Sequence, residues 1–439
     1  MINRKLLFML ISIVSLFISF QFNFFQVANM QWFKHYQYDS EALVIGKLAE
    51  SDRNGILSHH GLLGFVSINN LKYGESGFLE GSTDAYLNEN ITFVYRPYSS
   101  QFGIQGFFFG YADKLLTLFS ISQEDKLFIF HLFTSLFLAV VLTGILYVFY
   151  LEFGLISASV TLTGILSSEW LVIFGKNLYW MSALWFLPVL VVLGFLNKLK
   201  YDKAISWKLL YLFVYLSICL KSLNGYEYIS TVLLASVIPI VYYALVLGWT
   251  LKEYFLKTLY IGLSGLFGFF TAVFMHILQL SFEYGNISKG IAILTQRIAV
   301  RTFANPDVMV HPVMLASAKA DILDVLEKYF LGHFFHGTLH FYIFFIILLI
   351  STLLGILISN YGKFLEEVQR NFIALALTTW LSFLAPVSWY VLAKSHSYIH
   401  THINFVLWYT PSMIFGFLLI GYVLSMIINY FITSKGDTH

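Results

Sequence analysis

Residues 127–150 read LFIFHLFTSLFLAVVLTGILYVFY, a run without Asp, Glu, Lys or Arg. A helix needs about 20 mostly apolar residues to cross the hydrocarbon layer, where no water is present to satisfy exposed backbone groups. This run is long enough. Comparable runs occupy residues 6–25, 154–173, 179–197, 207–222, 229–249, 259–280, 338–358, 371–392 and 403–430. The pattern predicts an all-α integral membrane protein with about ten transmembrane helices, a single polytopic domain over residues 1–439.

Composition points the same way. The chain is 58% hydrophobic and 19% aromatic, with 11% charged residues, against about 25% charged in an ordinary soluble domain. It therefore lacks the polar groups to face water on every side. The net charge of +2 comes from basic residues scattered along the chain, which form no stripe for nucleic acid. Cys219, the only cysteine, lies in the apolar run LFVYLSICL at 212–220. An intrachain disulfide and a cysteine-built zinc site are excluded.

Basic residues set the expected orientation. Arg4 and Lys5 precede the first run as in a signal peptide, but no small-residue cleavage site precedes QFNFFQ at 21–26. The run reads as a retained anchor. With the N-terminus in the cytoplasm, Arg4, Lys5, Lys198, Lys200, Lys203, Lys208, Lys252, Lys257, Lys363, Arg370 and Lys435 all fall on that side. The three short loops opposite carry only Lys176, Lys221 and Lys394. This is the positive-inside bias, and it predicts that both termini are cytoplasmic. Two long segments, 26–126 and 281–337, then face outward. Their runs 41–52 and 313–330 have the pattern of interfacial helices. Pro97, Gly103, Gly106 and Gly110 predict a bent stretch returning toward the membrane. No internal repeat or inverted symmetry is visible.

Two clusters stand out as carriers of chemistry. Tyr38-Asp39-Ser40-Glu41 follows the first span, and polar groups concentrated beside a membrane mark functional sites. Asp39 and Glu41 are two apart, so on one helix they face different ways and only one enters a cavity. Asp39 equally fits an N-cap for a helix beginning near Ser40. The second cluster, Lys394-Ser395-His396-Ser397-Tyr398-Ile399-His400-Thr401-His402, joins the last two spans. It is a dense set of donors for an anion, and equally a set of metal ligands. Histidines that merely suit the headgroup zone are the bland alternative. His396 and His400 share a face if the loop is helical.

Weaker signals lie in the other outward loops. Gly175-Lys176-Asn177 and Asn224-Gly225-Tyr226-Glu227-Tyr228 join neighbouring spans, and Arg96 sits in Tyr95-Arg96-Pro97-Tyr98. Arg297 and Arg301 share one face of a helix; arginines in such places contact lipid headgroups more often than substrates. Asp307, His311, His333, His336 and His340 add polar groups to the second long loop, with His336 and His340 spaced for one helical face. No phosphate-cradling glycine loop, Gly-x-Ser-x-Gly elbow or His-Glu-x-x-His motif is present.

A cytoplasmic N-terminus, one span and a long outward loop opening with the Asp39–Glu41 pair resemble the GT-C class of membrane glycosyltransferases. The same is true of Asn177-Leu178-Tyr179-Trp180 leading into a span with Phe186-Leu187-Pro188. Lys394-Ser395-His396, running into His402-Ile403-Asn404 and Trp408-Tyr409, adds to the likeness. The nearest likeness is to bacterial enzymes that decorate surface polysaccharide, such as O-antigen glucosyltransferases of the inner membrane.

The resemblance implies a polyprenyl-phosphate-linked sugar as donor and a glycan or lipid-linked glycan as acceptor. Transfer would be a single, inverting displacement on the non-cytoplasmic face, facing the periplasm. Asp39 or Glu41 is then the base. Arg96, Lys176, Asn177, Glu227, Tyr228, Lys394, His396, His400 and His402 are candidates for holding the donor's phosphate or sugar. No resident cofactor is implied, and a divalent metal stays open. A polysaccharide polymerase or ligase and a lipid-linked-glycan flippase are the alternatives. A transporter carries charged residues in the middle of its spans, whereas here the charges gather in outward loops.

Overall fold

The computed structural model describes residues 3–202, 204–302, 312–335, 337–361 and 364–436. Lys203, Asp307, His311, His336 and Lys363 lie outside the described residues. The protein is overwhelmingly helical. Among the described residues eight helices are long and apolar enough to cross a membrane: Arg4–Phe22, Gln123–Leu166, Ala183–Tyr201, Ile229–Val246, Leu251–Tyr284, Phe341–Asn360, Glu366–Leu392 and Ser412–Ile432. The 207–222 run forms the helix Trp207–Asn224, outside that set of eight.

Gln123–Leu166 is not one straight rod. Gly154 sits at φ 82°, ψ 177°, a conformation open essentially to glycine alone. Partner contacts show what happens there. On the N-terminal side, Phe149 packs on Phe415 and Phe153 on Tyr422. On the C-terminal side, Ser157 meets Gly421 and Gly164 meets Phe417. The chain thus runs along the Ser412–Gly436 helix in one direction, turns at Gly154 and returns in the other. Arg4–Phe22 packs antiparallel to the outgoing arm, with Phe8 on Tyr150 and the Ser135 hydroxyl donating to Gln21 Oε1 at 2.7 Å.

Several expected segments differ from what forms. The 154–173 run is broken at Ser167 and Ser168, where the Ser168 hydroxyl caps a short second helix, Glu169–Phe174. The 403–430 run begins with the short turns Thr401–Asn404 and Phe405–Tyr409 before the long helix starts at Ser412. The 41–52 run lies in the helix Tyr38–Asn54, but residues 42–51 are all buried. A helix covered on all sides is a core element, not one resting at an interface. The 313–330 run is two helices, Pro312–Lys319 and Ile322–Leu331, the second opened by an Asp321–Asp324 capping box. Of the stretch marked by Pro97 and the glycines, Pro97 ends a strand, Gly103 at φ 77° makes the turn, and Gly106 and Gly110 lie in a helix, Ile104–Thr117. Gly106 lets it seat on Leu63 and Lys47, where a Cβ would come within 2.7 Å of Leu63.

A two-stranded antiparallel sheet, Gly64–Ser67 with Val94–Pro97, completes this layer, pairing Phe65 with Arg96 and Val66 with Tyr95. At the opposite end of the helices, Glu152 accepts from Asn197 and Lys200 and from the hydroxyls of Tyr242 and Tyr243.

Candidate functional site

One cavity of about 390 Å³ draws its wall from every loop that the basic-residue pattern puts outside. Asp39 and Ser40 come from the Tyr38–Asn54 helix, and Tyr98 follows the second strand. Tyr179 and Trp180 lie in the turn before the helix Ala183–Tyr201, and Glu227 lies in the turn between two others. Arg301 projects from the helix Ile287–Thr302, and Met314 from Pro312–Lys319. Ser395, His396, His400 and His402 close the ring.

Asp39 is half-buried on this wall. It is not an N-cap: the helix starts at Tyr38, and Gln37, at φ 54°, holds the cap position. Asp39 Oδ1 accepts the Ser40 N–H at 2.8 Å. Its Oδ2 has no hydrogen-bond partner among the described residues. The helix start is pinned from outside. Asn177 accepts the N–H groups of Tyr179 and Trp180 and donates to the carbonyls of Tyr36 and Gln37, at 3.4 Å each. The Tyr36 hydroxyl donates to the His402 carbonyl at 3.0 Å.

Glu41 points elsewhere, as a spacing of two residues requires on a helix. Its Oε1 accepts from His131 Nε2 at 2.8 Å and from the Leu178 N–H at 3.1 Å. Burial pushes its carboxyl up, but His131, Leu178 and Lys176 together hold it below the usual carboxylate range. Glu41 is a tether between the first long segment and the 175–179 turn.

Arg301 carries the cavity's positive charge. It pairs with Glu227 Oε1 and donates to the Tyr98 hydroxyl at 2.8 Å. Arg297, one turn earlier on the same face, donates to Ser99 Oγ at 3.3 and 3.2 Å. Burial raises the Glu227 carboxyl, yet Arg301 and then Lys221 outweigh it and leave the group below its ordinary value. Arg301 also lines a second cavity, of about 280 Å³ and almost wholly apolar, among Ile229, Phe269, Val273, Leu294, Trp389 and Leu392. Among the described residues, Arg301 is the one common to the walls of both cavities.

The histidine loop differs from its expected role in two ways. Lys394 is already engaged, since its Nζ donates to the carbonyls of Ala318 and Ala320 at 3.0 and 2.6 Å. There it ties down the C-terminal end of Pro312–Lys319, where unpaired carbonyls attract a cation. The histidines are also held neutral. Burial, with His400, Arg301 and His402 adding to it, keeps His396 well below the usual histidine range. Burial and His402 push His400 down to about 4, with Asp39 acting the other way. Burial lowers His402 as well, again against Asp39. Near neutral pH the loop offers uncharged imidazoles. Among the described residues, no group of three or more His, Cys, Asp or Glu side chains is gathered to hold a metal ion.

The remaining candidates lie off the cavity. Arg96 is exposed on its strand, with a 3.5 Å contact to Ser67 Oγ. Lys176 lies over the Phe33 ring at 4.2 Å, its ammonium lowered by burial with Glu41 opposing. Tyr228 is buried behind the wall, stacked on Trp180 at 5.4 Å and donating to the Ile403 carbonyl at 2.7 Å. His333 and His340 face each other across the His333–Phe335 and Leu339–His340 strands. Tyr98, Tyr179 and Trp180 line the cavity without having been singled out for it. The sequence pattern reads Arg301 as a headgroup contact; in the structure it shares one face of Ile287–Thr302 with Arg297 and lines the cavity. Comparison of the chain with models of known families, with curated proteins and with solved structures finds no match to any of them.

Proposed function

We propose that this protein is an inverting membrane glycosyltransferase that moves a sugar from a polyprenyl-phosphate donor to a hydroxyl of a surface glycan, of O-antigen kind. The observation that carries the reading is the position of Arg301, in the walls of a polar cavity and an apolar one at once. A lipid phosphate has that composition: an anionic head between a sugar and an apolar chain. The chain would lie among Ile229, Phe269 and Val273, the phosphate at Arg301, and the sugar in the polar cavity beside Asp39.

Asp39 Oδ2 is then the base. It takes the proton of the acceptor hydroxyl as that oxygen attacks the anomeric carbon. The bond from that carbon to the phosphate oxygen breaks, its electron pair leaves on the phosphate, and Arg301 stabilises the growing charge. One displacement inverts the anomeric configuration.

The same reading takes the protein as crossing a bacterial inner membrane ten times with both termini in the cytoplasm. The reversal at Gly154 counts as two crossings, and Trp207–Asn224 as one more. Purified protein in vesicles, given synthetic polyprenyl-phosphoryl glucose and isolated surface glycan, tests the proposal. Glycan gaining one branch sugar supports it. No transfer there, with unchanged surface glycans in cells lacking the gene, overturns it.

A further inference from the structure

His396, His400 and His402 all line the polar cavity, and none of their ring nitrogens has a hydrogen-bond partner among the described residues. The His396 and His400 rings lie 4.6 Å apart, tilted by 41°. Nδ1 of His396, Oγ of the buried Ser395 and Nε1 of the buried Trp180 are enclosed without partners. Buried polar groups are ordinarily paired, and leaving one unpaired costs stability. Those enclosed atoms do not reach the cavity, but the other ring nitrogens of His396, His400 and His402 stand unpaired on residues of its wall, which marks a surface built for a ligand. Arg301, by contrast, is already paired with Glu227 and Tyr98.

We propose that the wall formed by His396, His400 and Trp180 is the subsite for the transferred sugar, and that this sugar is an uncharged, polyhydroxylated ring. A neutral imidazole presents one N–H donor and one lone pair, and a hydroxyl both donates and accepts, so the two match. A phosphate oxygen only accepts and leaves half of that capacity unused. Trp180, braced by stacking on Tyr228 at 11° between ring planes, gives the wall a rigid apolar edge against which the C–H side of a sugar ring can rest. The depressed histidine pKa values agree with a wall that reads hydroxyls and leaves the phosphate to Arg301.

This inference rests on the donor reading above, and one experiment separates the two. Full-length protein in lipid nanodiscs is titrated with bare farnesyl phosphate. It is then titrated with farnesyl phosphates bearing glucose, galactose, mannose, N-acetylglucosamine, glucosamine or glucuronic acid. At least one uncharged sugar should bind roughly tenfold more tightly than the bare phosphate. His396→Phe and His400→Phe should erase that gain and leave bare farnesyl phosphate within about twofold of wild type, which also shows the variants folded. His396→Gln should restore part of it, and Arg301→Met should weaken every ligand.

Wild-type protein that binds none of these lipids overturns the donor reading and the subsite with it. Bare phosphate that binds with no gain from any sugar, or that weakens in the phenylalanine variants as much as the sugar-bearing lipids do, overturns the subsite alone. Preference for a charged sugar overturns its assigned class.

Discussion

Asp39 and Glu41 are both carboxylates within one turn of helix, and the structure gives them opposite expected behaviour. Asp39→Asn keeps an oxygen to accept the Ser40 N–H, so the helix start survives and stability should move by no more than about 0.5 kcal/mol. It removes the carboxylate proposed to take the proton, and a positioned base is worth about 10²- to 10⁴-fold in rate. Glu41→Ala does the reverse. It deletes the acceptor for His131 and leaves the Leu178 N–H unpaired. One lost bond and one unsatisfied amide together cost about 3 kcal/mol, while transfer per folded molecule should fall little. The assay is initial transfer rate in vesicles, normalised to folded protein, alongside thermal unfolding followed by tryptophan fluorescence. Wild-type rate in Asp39→Asn together with a dead Glu41→Gln would move the base to Glu41. Wild-type rates in both would remove the base, and the proposed mechanism with it.

Three further outcomes are expected. Lys394→Met should lower the unfolding midpoint by releasing the end of Pro312–Lys319, yet leave farnesyl phosphate affinity within about twofold; a tenfold loss would return Lys394 to the anion site. Stability should also fall as the pH drops from 6.5 toward about 4, because over that window the unfolded chain takes up a proton that folded His400 refuses. The pH dependence of the unfolding midpoint should flatten there in His400→Phe, and an unchanged slope would contradict the neutral wall. Finally, in a chain with Cys219 replaced, cysteines at the exposed positions Glu89 and Lys252 should react with an impermeant reagent from opposite sides only, Glu89 from outside and Lys252 from the cytoplasm. Labelling of Glu89 from the cytoplasm would invert the topology and the location of the chemistry.

The sequence by itself determined the class of protein, because the requirement is local. Some twenty apolar residues in a row can be counted without knowing what they pack against, and runs such as 127–150 and 229–249 became helices close to where the count put them. It also found the segments that meet at the cavity, since polar residues left between apolar runs have to gather at the helix ends. Tertiary structure decided which of those polar groups remain available. Glu41 is spent on His131 and on a backbone amide 137 residues away. Lys394 is spent on carbonyls 76 and 74 residues away. The histidines lose their charge to burial, and Arg301 gains its place from Glu227 and Tyr98, 74 and 203 residues distant. How much of a charged group's hydrogen-bonding capacity is left for a ligand depends on partners that come from loops no sequence window contains.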